Sequence, residues 1–207
     1  GSCLRPSADP IPLVDTFPPE LRYLPGQKGY SQLVKLSKKS TFDDPGTPSK
    51  FLLCPVTDAD RENVKELITR DWGAPEIVVN ARTYTPHTLP GMFALLDGTT
   101  AGLITWEIKD LQCEIVSLNA YVPGKGAGSA LLQAVEKLAV ENGCRVCRLV
   151  TTNDNLPAVH FYQQHGYRVI EIRKNAVARA REKKPSIPLV AENGIPISDE
   201  LVLEKGL

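Results

Sequence analysis

The run LNAYVPGKGAGSALLQAVEKL, from Leu118 to Leu138, restricts the fold more than any other stretch of this sequence. An apolar segment suited to a strand meets turn chemistry at Pro123 and Gly124; Ala130, Leu131, Ala134, Val135 and Leu138 then recur at the helical period. Gly124, Gly126 and Gly128 stand at alternate positions across the junction. Without side chains there, main-chain N–H groups can approach a ligand closely, and the unpaired N–H groups of the first helical turn complete an anion site. A tight strand-to-helix connection that only needs permissive residues is the competing reading.

The flanking sequence sets this junction in a mixed sheet. FLLCPV reads as a strand, Asp58 or Asp60 can cap a helix through ADRENVKELITRDWG, and Gly73 ends it. EIVVN is a short strand and ARTYTPHTLPG a loop. MFALLDGTTAGLITWEIKDLQCEIVSLNAYV reads as three strands with hairpin turns at DGTT and KDLQ. After the glycine-led helix come a strand RVCRLVTT, a helix NLPAVHFYQQH stopped at Gly166, and a strand YRVIEI. A basic helix NAVARAREKK, the loop PSIPLVAENGIP and a last strand ELVLEK follow. An antiparallel run leading into strand, helix, strand, helix, strand is an α/β (α+β) sheet with its crossovers late in the chain. Residues 1–50, with PSADPIP, FPPE, LPGQKG and DDPGTP, break regular structure repeatedly and read as a Pro/Gly-rich N-terminal extension.

Composition narrows the partners. The 24 Lys and Arg residues balance 24 Asp and Glu, so the general electrostatic footprint of a nucleic-acid binder is missing and no nucleic acid is expected. No apolar run approaches the length of a bilayer-spanning helix, so no membrane is expected either. The opening GSCLRPSADP has neither the basic nor the apolar region of a secretory signal, and an odd count of 5 cysteines suits free thiols. The expected location is therefore the cytoplasm, with the nucleus as an alternative. Cys144 and Cys147 form a CxxC inside an apolar run; Cys3, Cys54, Cys113 and the 3 histidines offer no second ligand pair, so no metal is expected.

Two nucleotide folds also place glycines between a strand and a helix. A P-loop needs four residues between its first glycine and GK[ST], whereas Lys125 is followed by Gly126. A dinucleotide fold needs G-x-G-x-x-G and an acid at the end of its second strand; the glycines here run G-x-G-x-G, and that strand ends in Thr151 and Thr152. Both fail on spacing.

A second motif carries the argument further. In NDNLPAVHFYQQHGY an Asn precedes an Ala, then an aromatic-Tyr pair, then Gly-aromatic. With PGKGAGSALLQAVE before it and one strand between, the chain from Phe51 to Lys205 resembles the GNAT superfamily of acetyl-CoA-dependent N-acetyltransferases. The resemblance implies a domain over 51–207, enlarged at about 174–199, with a mostly antiparallel central sheet, a splayed parallel strand pair and flanking helices. It implies acetyl-CoA as co-substrate, the pantetheine arm entering between Leu118–Val122 and Leu149–Asn153. Leu118, Asn119, Ala120 and Val122 would line one wall, and Thr152 and Asn153 the other. Gly124, Lys125, Gly126, Ala127, Gly128 and Ser129 would hold the pyrophosphate, and Asn155, Ala158 and Tyr162 would meet the arm. Asn155 equally suits a helix N-cap. Pro123 stands where most members carry Arg or Gln, which leaves more of the anion binding to backbone N–H groups and Lys125.

Amine acetylation needs a neutral amine, support for the oxyanion and a proton for the departing thiolate. The resemblance makes Tyr162 the general acid; an ordinary aromatic pair with Phe161 is its alternative. Glu114, in a Glu-Ile-Val sequence like that of the family's histone acetyltransferases, is the expected base, against a salt-bridged strand glutamate, with Glu107 as substitute. A main-chain N–H around Leu118 to Ala120 would meet the oxyanion. His160 and His165 read as surface residues.

The expected function is transfer of acetyl from acetyl-CoA to a primary amine of a small molecule, by direct attack in a ternary complex, by a monomer or homodimer. A non-catalytic acyl-CoA sensor and a protein or peptide acetyltransferase are the rivals. Trp72, Arg82, Tyr84 and Trp106 are candidates for the acceptor cleft, and the basic segment from Arg173 to Lys184 for contact with phosphates or an acidic acceptor.

Overall fold

Hairpin chemistry builds the first half of the sheet. In the computed structural model, which describes residues 51–79 and 82–207, strands β4 (Gly91–Leu96), β5 (Thr99–Lys109) and β6 (Gln112–Ala120) follow one another antiparallel. Asp97 (φ 50°) with Gly98 (φ 78°), and Asp110 (φ 50°) with Leu111 (φ 60°), supply the two positive-φ residues of each tight turn. The extension expected over residues 1–50 lies outside the described residues.

The remaining strands of the main sheet are β1 (Leu52–Pro55), β7 (Val146–Thr152), β8 (Arg168–Arg173) and β9 (Glu200–Gly206), in the spatial order β1-β4-β5-β6-β7-β9-β8. Only β6 and β7 run parallel among these pairs, joined by the crossover helix α2, which follows α1 (Arg61–Trp72) and spans Ala127–Glu141. Helix α3 (Leu156–Gln164) precedes β8, and α4 (Ala176–Lys183) lies between β8 and β9. The expected sheet is therefore present. One element differs: part of the expected loop ARTYTPHTLPG forms strand β3 (Arg82–Tyr84), paired with β2 (Ile77–Val79) in a separate ribbon.

Strand alternation divides the core between the two sheet faces. Met92 and Ala94 join the cluster with Leu131, Leu132, Val135 and Leu138 of α2, while Phe93 and Leu95 join the cluster with Val64 and Ile68 of α1. Each fully buried leucine of α2 contributes roughly 1.5–3 kcal/mol. Trp106 is 0% exposed within the α2-side cluster, which makes it a core residue and not part of a cleft. At the start of α1, Asp60 accepts from the Thr57 hydroxyl at 2.6 Å and the Thr57 N–H at 2.9 Å, a reciprocal arrangement that fixes the chain's entry. Gly73 closes that helix with φ 73°.

Candidate active site

Strands β6 and β7 pair from Gln112 with Val146 to Ile115 with Leu149 and then part, although β6 continues to Ala120 and β7 to Thr152. A bulge accounts for the separation. The β5–β6 register shifts between Thr105 and Trp106, which leaves Val116 as an extra residue on β6 and bends the strand there. Beyond the bulge the Tyr121 N–H donates to the Ala101 carbonyl at 2.8 Å. Bonded pairs alternate in an antiparallel ladder, so Asn119 and Ser117 also face β5, and the main-chain groups of Leu118 and Ala120 turn into the gap.

The glycine loop sits at the end of that gap. Gly124 and Gly126 have φ of 68° and 89°, and a Cβ at either would meet no atom within 4 Å. Gly126 is the N-cap of α2, and Lys125 beside it is exposed. The loop before the helix is thus open, next to the N–H groups of the first helical turn, a setting that suits a pyrophosphate. Gly128 is buried instead, and a Cβ there would lie in ordinary van der Waals contact with the Phe161 ring at 3.4 Å. We expect Gly126→Val, which forces a β-branched residue into left-handed backbone beside the phosphate position, to weaken acetyl-CoA binding by at least about tenfold while the circular dichroism spectrum is retained. Calorimetric titration measures it; unchanged affinity would reduce the loop to a turn.

Tyr162, on α3, is 7% exposed and shares the α2-side cluster with Ile115 and Leu149, the last pair before the strands part. Its ring meets Phe161 and Tyr167 edge-on, with centroids 5.2 and 5.5 Å away. Burial, reinforced by Cys147, pushes its hydroxyl above the ordinary tyrosine value, so it stays protonated. Leu118, Val122 and Ala158 pack half-buried against the same cluster.

Asn155 caps α3, its Oδ1 accepting from the Ala158 N–H at 3.3 Å. Asn153 is engaged elsewhere: its Oδ1 accepts from the N–H groups of Ser198 and Asp199, both at 2.9 Å, and its Nδ2 donates to the Pro196 carbonyl at 2.9 Å. His165 is half-buried and not a surface residue, because its Nδ1 lies 2.8 Å from the Phe161 carbonyl and its Nε2 2.9 Å from Ser129 Oγ. It ties α3 to the first turn of α2. His160 is exposed.

Glu114 lies on the opposite face. The Tyr84 hydroxyl donates to its Oε2 at 2.8 Å, and burial together with that bond raises the Tyr84 pKa. Glu107, the substitute base, is held by both Nη atoms of Arg82 at 2.6 and 2.8 Å. Arg82 also lies 4.4 Å from the centre of the Tyr84 ring.

A cleft of about 480 Å³ runs past Glu114, Val116, Thr152 and Asn155 to Asp71 and Trp72 of α1 and to Val177, Ala180 and Lys184. The Lys184 ammonium donates to the Trp72 carbonyl at 2.7 Å and bridges its rim. Asp71 gathers the end of α1 onto β6: Asn119 Nδ2 and the Tyr121 hydroxyl donate to its Oδ2 at 3.0 and 2.9 Å, and Arg70 donates to its Oδ1 at 2.7 Å. In the basic segment, Arg181 is bound to the carbonyls of Ile187, Pro188 and Ile197, so it shapes the covering loop. Cys54, Cys113, Cys144 and Cys147 are buried, and among the described residues they form no disulfide. Among the described residues no helix is long and apolar enough to cross a membrane.

Residues 61–167 match the model of the acetyltransferase (GNAT) family. The chain belongs to the GNAT acetyltransferase family. It is 40% identical over 156 residues to the uncharacterized protein YxbD of Bacillus subtilis strain 168, an alignment covering 75% of this chain and 98% of that protein. An IAA acetyltransferase from Bacillus cereus ATCC 14579 shares the fold with a TM-score of 0.57 at 19% identity, over 76% of this chain and 99% of its own. A GNAT acetyltransferase from Elizabethkingia anophelis, solved with acetyl-CoA bound, gives a TM-score of 0.55 at 21% identity over the same shares.

Several residues of this GNAT site escape a linear reading. Asp71, Tyr84 as the partner of Glu114, and Glu200, which is 3% exposed on β9 at the edge of the cleft, have no motif around them. Nothing in local spacing signals Asp71; its three partners come from its neighbour Arg70 and from residues about fifty positions away.

Proposed function

We propose that this GNAT enzyme transfers the acetyl group of acetyl-CoA to the primary amine of a small molecule by direct attack in a ternary complex. The parting of β6 and β7 beside an open glycine-led helix N-terminus is the observation that carries the reading. Acetyl-CoA supplies a thioester activated toward amines. The backbone N–H groups from Gly126 to Ser129, with Lys125, would hold its pyrophosphate, and the gap-facing main chain of Leu118 and Ala120 would pair with the pantetheine arm or meet the oxyanion. Glu114 would accept the proton of the attacking amine and Tyr162 would protonate the sulfur as the carbon–sulfur bond breaks. Their placement on opposite sheet faces keeps the two proton transfers apart, one at the attacking amine and one at the departing sulfur.

A small acceptor is favoured over a peptide because α4 and the segment through Pro188 cover the cleft and Lys184 bridges its rim. A peptide would need an open groove along it. Acetyl-CoA at a hundred times its dissociation constant should stabilise the protein by about 2.7 kcal/mol, and NADH should not. Thermal unfolding measures this, and thiol release across a panel of small amines and peptides measures turnover. Equal shifts with both nucleotides would return the glycine loop to another use; release with peptides alone would overturn the small acceptor.

A further inference from the structure

A second cavity, of about 320 Å³, adjoins the cleft and shares Glu114 and Val150 with it. Its walls are mostly charged, and the strand register explains why. Glu107 on β5 is opposite Glu114 on β6, which is beside Arg148 on β7, which is opposite Glu204 on β9. Side chains in register share a face, so these groups form one row across the sheet. Their pairing leaves one of them out. Arg82 takes Glu107, Arg148 takes Glu204, and Arg173 takes Glu171 at 2.9 Å. Glu114 receives the neutral Tyr84 hydroxyl, and among the described residues no Lys, Arg or His reaches it within ion-pair distance, although Arg173 is near enough to feel its charge. Lys109 and Asp110 add one charge of each sign to its lining.

We infer that the acceptor is a compact amine carrying further positive charge and no anionic group, with its reacting nitrogen at Glu114, where the covered cleft and this groove meet, and its further charge in the groove. The inference rests on the reading of Glu114 as the residue that meets the amine. A cation supplies what the row lacks and relieves the like-charged Glu107–Glu114 pair, whereas a carboxylate or phosphate would stand beside the unpaired Glu114 charge, with Arg82, Arg148 and Arg173 already in ion pairs. A purely apolar amine would strip water from the charged walls without replacing its hydrogen bonds. The volume equals about ten waters at ~30 Å³ each, room for a diamine or a small amino sugar.

Three amines of similar length separate the possibilities: putrescine, γ-aminobutyrate and pentylamine, compared as kcat/KM for thiol release at saturating acetyl-CoA. Putrescine should exceed both others by about tenfold or more. In Glu171→Lys, which adds a cation to the groove and releases Arg173, the ratio of putrescine to γ-aminobutyrate should fall by about tenfold, with the KM for acetyl-CoA unchanged. A wild-type preference for γ-aminobutyrate or pentylamine overturns the inference and leaves the acetyltransferase reading standing. So does a ratio unmoved by Glu171→Lys. Failure to bind acetyl-CoA would instead bring down the reading on which the inference rests.

Discussion

Tyr162→Phe is expected to turn over roughly a hundredfold more slowly than the wild type at every pH, while its affinity for coenzyme A is unchanged. The ring keeps its edge-on contacts with Phe161 and Tyr167, so packing is preserved and the hydroxyl alone is lost. The constant deficit follows from the direction of the pKa shift. Burial raises the Tyr162 value above its usual alkaline position, so the acid form persists through the neutral and mildly alkaline range and never titrates away as a competing cause. Steady-state kinetics with a good amine acceptor and calorimetry with coenzyme A test the two halves separately. A fully active variant would return Tyr162 to the aromatic core.

Glu114→Gln fails in another way. Glutamine keeps an acceptor for the Tyr84 hydroxyl, 2.8 Å away in the wild type, so the local structure should persist. The carboxylate that takes the amine's proton is gone. Near neutrality, where the amine is protonated, kcat/KM should fall by about 10²–10⁴-fold. Activity should recover as rising pH deprotonates the amine without help. An unaltered profile would move the base elsewhere, and Glu107 is poorly placed to inherit it while both its oxygens are held by Arg82.

The two variants also probe the sheet as a divider. Tyr162 packs on the α2 side and Glu114 faces Tyr84 on the other, near the point where β6 and β7 part. A single extra residue marks the point where the strands part. Val116 has no partner on β5, and the bend it causes carries the end of β6 away from β7.

Element order was legible from sequence because its signals are local. Gly98 within DGTT, the helical spacing from Ala130 to Leu138, and Gly73 after Trp72 each act within a few residues, where chain geometry permits few outcomes. The strand at Arg82–Tyr84 was not legible, since three residues without alternation are defined only by the partner they find in Ile77–Val79. The glycine loop and the Tyr162 helix could likewise be located from their own spacing. What surrounds them could not. His165 against Ser129, Asn153 against the chain at Pro196 to Asp199, and Tyr84 beneath Glu114 join residues about thirty to forty-five positions apart. Such pairings depend on how the elements pack and, for the strand residue Glu114, on register, because a shift of one residue sends a side chain to the opposite face. Local chemistry thus determined that this chain makes a sheet with a glycine-led crossover helix; only the packed sheet decided that Glu114 would face a charged groove and share its cleft with Thr152 and Asn155.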